Sequence, residues 1–156
     1  MISVQSVSMF LRNFKKSIII SFLIFFADQI TKYLAFTYLA PTDTVKITSF
    51  LNLVYVENKG AAFGLLKSLG TEFFIVLSIL VIVVLILMII KDRKNQLVYS
   101  LIMGGALGNL FDRLLHGHVI DFIDLHICGY HWPAFNIADS SLSIGIFLFV
   151  LKKYKK

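Results

Sequence analysis

Two aspartates, Asp121 and Asp139, are the residues of this chain whose type and surroundings are best suited to chemistry. Each lies at the edge of an apolar segment, and neither has a lysine or arginine within four positions. Two carboxyl groups that meet in an apolar environment cannot both be charged, so one of them keeps a proton. Such a pair supplies an acid and a base together, which can hydrolyse a peptide bond through an activated water without a covalent intermediate.

Three further sets of polar residues have spacings that place their side chains on one face of a helix. They are Asp28 with Lys32, Asn109 with Asp112 and Arg113, and Asn136 with Asp139. These residues could serve only to pair between helices and hold a bundle together. Ionisable residues in membrane-length apolar segments are nevertheless a functional hypothesis by default, and three clusters toward one side favour a site. The small residues Gly104, Gly105 and Gly108 would let a neighbouring helix approach closely and hold one cluster steady.

Other residues with chemical potential fit less well. Asp124 is an alternative second carboxylate, but it falls in a predicted loop and no amide-rich cluster surrounds it in the sequence. The four histidines, His116, His118, His126 and His131, match no zinc-binding spacing, so we expect interfacial histidines, no metal and no cofactor. Cys128 is the only cysteine and we interpret it as structurally neutral, since no disulfide can form within the chain.

The composition predicts a single integral membrane domain over residues 1–156. The chain is 58% hydrophobic and only 15% charged, and its mean hydropathy is +0.83. Residues 73–90 form an uncharged run of 18 between Glu72 and Lys91, which is enough to cross a hydrocarbon core of roughly 30 Å at about 1.5 Å per residue. We predict four transmembrane helices, at approximately 17–38, 73–90, 96–115 and 132–151.

The basic residues predict how these spans are oriented. Ten of the 15 lysines and arginines flank the spans, namely Arg12, Lys15, Lys16, Lys91, Arg93, Lys94, Lys152, Lys153, Lys155 and Lys156. By the positive-inside rule they place both termini and the middle loop in the cytoplasm, and the loops at about 39–68 and 116–131 outside. Topology therefore explains the net charge of +6 better than nucleic-acid binding does. The first span resembles a signal peptide, but we expect it to be retained because three spans follow it.

Two local patterns add detail to this topology. Alternating residues from Leu51 to Val56, followed by a turn-like Asn58-Lys59-Gly60, predict a short extended segment lying on the membrane surface. Apolar residues at helical spacing within the first 16 positions suit an amphipathic helix on the inner surface, and a disordered tail is an equal alternative.

Five blocks of the sequence resemble the lipoprotein signal peptidases, the bacterial signal peptidase II family. They are ADQITKYL (27–34), ENKGAAFG (57–64), GGALGNLFDR (104–113), VIDF (119–122) and FNIADS (135–140). The blocks occur in order over nearly the whole chain and are specific as a set. The sequence departs from the family pattern at Ile120, where a second valine is frequent, and in having Glu57 before Asn58.

The resemblance implies a four-helix inner-membrane aspartic peptidase with an extracytoplasmic site, which cuts prolipoproteins just before a diacylglyceryl-modified cysteine. It implies a small β-cradle in the first outer loop and a short helix over the site in the second. Asp121 and Asp139 carry over as the catalytic dyad, and Arg113 and Asn58 as contacts to substrate backbone or lipid-linked groups. The substrate-binding or site-shaping residues are Asp28, Lys32, Asn58, Gly60, Asn109, Asp112, Arg113 and Asn136. The expected partners are the prolipoprotein substrates and the lipid bilayer, with no nucleic acid, and the expected state is a monomer.

Two other classes of protein remain as alternatives. A small proton-coupled transporter would also carry Asp28, Asp112 and Asp139 inside a bundle, although four helices leave little room for a pathway. A structural membrane subunit would not need the unpaired Asp121 and Asp139.

Overall fold

The structure, a computed structural model, describes residues 4–42, 44–60 and 67–154. These residues form four α-helices, α1 (Val4–Leu39), α2 (Gly70–Lys91), α3 (Gln96–His116) and α4 (Ile137–Tyr154), with a short 3₁₀ helix at Lys67–Leu69. They also form four strands, β1 (Thr44–Lys46), β2 (Leu51–Asn58), β3 (Val119–Ile127) and β4 (Tyr130–His131). The last four residues of the ENKGAAFG block and the charges of Lys155 and Lys156 lie outside the described residues.

The helices bury polar residues and expose apolar ones. The Asp28 and Lys32 side chains on α1 are 0% and 2% exposed, whereas Leu23 on the same helix is 63% exposed. Among the described residues, two segments are long and apolar enough to cross a membrane, Arg12–Leu39 and Gly70–Lys91. An apolar outer face around buried charges suits a hydrocarbon environment.

Glycines on α3 let that helix pack tightly, as the sequence predicts, although they face two neighbours instead of one. A Cβ at Gly104 would lie 2.8 Å from the backbone oxygen of Ser21 on α1. Gly105 faces the backbone of Ala138 on α4, and a Cβ at Gly108 would lie 2.5 Å from the Asp28 carboxylate. Helix α3 is therefore held between α1 and α4, and its polar residues are fixed against both.

The strands form one antiparallel sheet in the order β1-β2-β3-β4. The predicted extended segment is β2, and its register with β3 pairs Val56 with Asp121 and Asn58 with Val119. The short helix expected in the second outer loop is wrong, because that loop forms β3 and β4. The backbone groups of β3 are paired with β2 along most of its length, which leaves them unavailable for a helix.

The ends of two helices differ from the sequence-based boundaries. Helix α4 begins at Ile137 instead of about residue 132, because Pro133 disfavours a helical Trp132 and Phe135 pairs with Ile123 of β3. Of the two possibilities for the first 16 residues, the structure has a helix, which begins at Val4 and continues through α1.

Candidate active site

One connected set of hydrogen bonds and ion pairs joins the ten residues predicted to be catalytic, substrate-binding or site-shaping. They come from α1, β2, α3, β3 and the start of α4, so the site exists only once these elements are packed together. Gln29 also belongs to this network, and sequence reasoning missed it. The side-chain amide Nε2 of Gln29 donates to Oδ1 of Asp112 over 2.9 Å. In the sequence, only the position of Gln29 next to Asp28 could have suggested this contact.

Asp121 lies on β3 with its side chain almost fully buried, and both of its carboxylate oxygens accept amide hydrogen bonds. Asn136 Nδ2 lies 2.7 Å from Oδ1, and Asn58 Nδ2 lies 2.9 Å from Oδ2. The pKa of Asp121 is raised to about 7, mainly because the group is buried and also because the charge of Asp139 is nearby. The hydrogen bonds from Asn58 and Asn136 lower the pKa but do not offset this rise. The carboxyl group therefore titrates near neutral pH.

Asp139 lies in the first turn of α4, where Asn136 caps the helix. The Asp139 backbone N–H donates to Oδ1 of Asn136 over 2.8 Å, and the neighbouring Ala138 N–H donates to Oδ1 of Asp28 over 2.8 Å. The Asp139 side chain accepts a hydrogen bond from Asn109 Nδ2 over 2.7 Å. Two caps and the helix dipole thus fix this carboxylate at the N-terminus of α4.

Each of the three asparagines that bind the two aspartates has its amide orientation fixed from the other end. The oxygen of Asn136 accepts the Asp139 N–H, that of Asn58 accepts the Gly60 N–H, and that of Asn109 accepts from Lys32. With the oxygens engaged, the three Nδ2 groups point at the carboxyl groups as donors. These donors favour the ionised form, while burial and mutual repulsion favour a proton, so the pair can hold one proton between them.

A buried ion cluster supports the site. Lys32 Nζ lies 2.7 Å from Asp28 Oδ2 and 2.8 Å from Asp112 Oδ2, and it donates to Asn109 Oδ1 over 3.0 Å. Asp112 also accepts the Ile120 N–H on β3 over 3.1 Å. All three donors of the ammonium are used, and the cluster ties α1 and α3 to the strand that carries Asp121.

Arg113 does not pair with Asp112. Its guanidinium donates to the backbone oxygen of Gly60 over 3.1 Å and lies 5.0 Å from the ring centroid of Phe74 on α2. Arg113 therefore pins the Asn58–Gly60 turn that also presents Asn58 to Asp121.

Asp124, the alternative second carboxylate, lies outside this network, and its amide partner comes from another strand instead of from its sequence neighbours. It is buried on β3 and accepts hydrogen bonds from Asn52 Nδ2 at 2.8 Å and from His131 Nδ1 at 2.9 Å. Burial raises the pKa of Asp124, but the two hydrogen bonds lower it more, so the pKa lies below its ordinary value. Asp124 thus joins β2 to β4, with His126 stacked on His131. Among the described residues, no group of three or more histidine, cysteine or acidic side chains could hold a metal ion.

A cavity of about 580 Å³ lies beside Asp139. Its lining includes the polar side chains of Asn58, Asn109, Arg113 and Asp139. It also includes apolar side chains, among them Trp132, Pro133, Phe135, Leu142 and Ile144. The cavity can therefore receive a molecule that has both a polar backbone and an apolar chain.

Comparisons with known proteins agree with this geometry. Residues 20–155 match the family model described as signal peptidase (SPase) II. The lipoprotein signal peptidase of Thermodesulfovibrio yellowstonii is 58% identical over 95% of this chain and 100% of its own length. That of Francisella tularensis subsp. novicida is 47% identical over 90% of this chain and 92% of its own.

Two solved structures of a bacterial membrane enzyme, at 2.3 Å and 1.9 Å resolution, are each 40% identical to this chain. The first has a TM-score of 0.83 and covers 90% of this chain and 88% of its own. The second has a TM-score of 0.81 and covers 91% of this chain and 94% of its own.

Proposed function

The chain belongs to the signal peptidase II family and has the activity of a lipoprotein signal peptidase, and from this premise we propose that Asp121 and Asp139 are its catalytic dyad. The observation that carries the proposal is the arrangement of three asparagine donors around two carboxyl groups, one of which lines the cavity. The transporter and structural-subunit alternatives have no support from these relatives.

In the proposed mechanism Asp121 holds the shared proton and Asp139 is ionised. Asp139 takes a proton from a water whose oxygen attacks the scissile carbonyl carbon, and the Asp121 proton passes to the carbonyl oxygen. Asp139 then gives its proton to the leaving nitrogen as the C–N bond breaks, and Asp121 recovers its proton from the hydroxyl group. The fully buried, doubly hydrogen-bonded Asp121 and the cavity-lining Asp139 support this division of roles.

The substrate we propose is a prolipoprotein whose cysteine carries a diacylglyceryl group, cut just before that cysteine. The polar side chains that line the cavity, Asn58 and Arg113 among them, receive the peptide, and the apolar side chains receive an acyl chain. Two of these apolar side chains, Leu142 and Ile144, lie on α4. The acyl chain stays in lipid while the scissile peptide bond needs water, so we expect the site to lie at the edge of the membrane.

For the topology, we propose four membrane spans in the bacterial inner membrane, with the sheet and the dyad on the extracytoplasmic side. Helices α3 and α4 present apolar residues outward, among them Leu114, Leu115, Ile146 and Phe147. The basic residues Arg93 and Lys94 lie at the end of α3 opposite Asn109, as the positive-inside rule requires. We expect a monomer, because the polar surfaces are satisfied within the bundle.

The proposal is tested by incubating the purified protein with a diacylglyceryl-modified prolipoprotein peptide and with the same peptide unlipidated. Wild type should cut only the modified peptide, before the cysteine, and both Asp121→Asn and Asp139→Asn should lose cleavage while remaining folded. Asp124→Asn is the matched control, because it removes a buried carboxylate from the same strand outside the network. Undiminished cleavage by either dyad variant would overturn the assignment.

A further inference from the structure

A second cavity, of about 330 Å³, lies at the other end of the helix bundle between α1 and the start of α3. Lys16 lines it, and Lys16 precedes Lys32 of the dyad's ion cluster by 16 residues on one continuous helix. At about 1.5 Å per residue this separation is roughly 24 Å. The second cavity is therefore distinct from the peptidase site.

Three cationic side chains line this second cavity, Lys16 from α1 with Arg93 and Lys94 from the loop that precedes α3. The ion pairs formed among the described residues include neither Lys16 nor Lys94. The adjacent carboxylate of Asp92 is occupied, since it accepts hydrogen bonds from Asn95 Nδ2 at 2.7 Å and Tyr99 Oη at 2.8 Å. The cavity is thus an electropositive space suited to an anion.

Gln96 forms part of the wall of the second cavity. Its side chain is 4% exposed, and its Nε2 donates to the Ile89 oxygen over 2.8 Å. Its Oε1 is buried and has no hydrogen-bond partner among the described residues. Because this oxygen is closed off from solvent, a ligand in the cavity does not reach it, and the attraction for an anion comes from the three cationic side chains.

Apolar residues border the same cavity. Ile20 and Leu97 line it, and Leu97 is 53% exposed. A soluble anion gains nothing from this border, whereas a lipid can place its phosphate among the cations and its acyl chains along the apolar residues. The occupant that matches both features is an amphiphile with an anionic head.

We propose that this second cavity binds the headgroup of an anionic phospholipid, for which phosphatidylglycerol is the probe. The phosphate lies among Lys16, Arg93 and Lys94, and the acyl chains run along Ile20 and Leu97. Basic pockets between membrane helices on the cytoplasmic side are suited to such headgroups, and the cavity volume is within the range of small-molecule sites. This binding site is additional to the peptidase activity.

The test is native mass spectrometry of the full-length protein in detergent with added phosphatidylglycerol, phosphatidylcholine or soluble glycerol phosphate. We expect preferential retention of phosphatidylglycerol. Lys16→Gln and Lys94→Gln should each weaken it about five-fold, which corresponds to about 1 kcal/mol per cation. Peptidase activity at saturating substrate serves as the check on folding, since neither residue lies in the catalytic network.

Lys15→Gln is the matched control, because it removes the same charge from the adjacent position, which does not line the cavity. Equal weakening by Lys15→Gln and Lys16→Gln would show general electrostatic attraction and overturn the site. Equal retention of phosphatidylcholine, or equally tight binding of glycerol phosphate, would also overturn a phospholipid site.

Discussion

Nζ of Lys32 lies 3.0 Å from Oδ1 of Asn109, and this contact joins the buried ion cluster to the proposed dyad. Because the oxygen of Asn109 is held by the ammonium group, its Nδ2 is directed at Asp139. Lys32 thus has two roles. It neutralises Asp28 and Asp112 inside the bundle, and it sets the orientation of an amide that holds the proposed catalytic base.

Replacing Lys32 by methionine should destabilise the protein and impair catalysis. Lys32→Met leaves two buried carboxylates without their cation, and breaking a buried pair from one side costs about 3–5 kcal/mol. In the molecules that remain folded, the oxygen of Asn109 keeps only the longer hydrogen bond from Asn136 Nδ2, at 3.3 Å, so its amide is held less firmly and kcat should fall. Thermal unfolding and kcat, measured below the unfolding transition, check both effects.

Lys15→Met is the control for this experiment, since Lys15 is exposed and far along α1. Wild-type kcat in folded Lys32→Met would show that the lysine only braces the helices.

The stability of the protein should depend on pH through Asp121. Its pKa is raised from 3.8 to about 7, so between these values the folded state keeps a proton that the unfolded state has lost. The contribution of Asp121 to the free energy of unfolding is therefore largest at low pH and is lost as the pH rises through about 7. At roughly 1.4 kcal/mol per pKa unit the loss is about 4 kcal/mol at most.

Thermal unfolding of wild type and Asp121→Asn at pH 5 and pH 8 checks this sign. The advantage of pH 5 over pH 8 should be larger in wild type than in the variant. Asp124→Asn should keep the wild-type difference, because the pKa of Asp124 is lowered and its titration lies below this range. A difference that is the same in all three proteins would contradict the prediction.

The residues of the buried polar network were predictable from the sequence because ionisable and amide side chains are rare and costly in apolar segments. The i, i+4 spacing of Asp28 and Lys32 corresponds to the ion pair in the structure, and alternation from Leu51 to Val56 corresponds to β2. Helix spacing also placed Asn109 and Asp112 on one face, where each contacts Lys32.

The remaining contacts were not predictable because they depend on elements distant in the chain. Asn52 and Asp124 meet only through the register of β2 with β3. The sequence around Asp124 therefore gives no sign of its amide partner. The pairing of Arg113 with the Gly60 oxygen, instead of with Asp112, depends on where the turn after β2 lies. The start of α4 was misplaced because Trp132 to Phe135 are apolar but bond to β3.

Gly108 is expected to tolerate no side chain. A Cβ there would lie 2.5 Å from Oδ2 of Asp28 and 3.2 Å from the Ala138 Cβ. Gly108→Ala therefore displaces the carboxylate that pairs with Lys32 and caps α4, and overpacking of this kind costs about 1–3 kcal/mol. Thermal unfolding measures the loss, and Leu115→Ala, on the exposed face of the same helix, should change stability less. Unchanged stability in Gly108→Ala would mean that α1 and α3 can separate locally.

Arg113→Ala should raise KM more than it lowers stability. The guanidinium is half-buried, donates one hydrogen bond to Gly60 and lies over Phe74. In such a position these contacts are together worth about 1–3 kcal/mol. It also lines the cavity beside Asn58, so its loss removes a cation from the substrate space and releases the turn that holds Asn58. Steady-state kinetics with the lipidated peptide, together with thermal unfolding, separate these effects. Arg113→Lys, which keeps the charge, should recover part of the KM change. A fall in melting temperature as large as that of Lys32→Met, with KM unchanged, would show that Arg113 acts only as a brace.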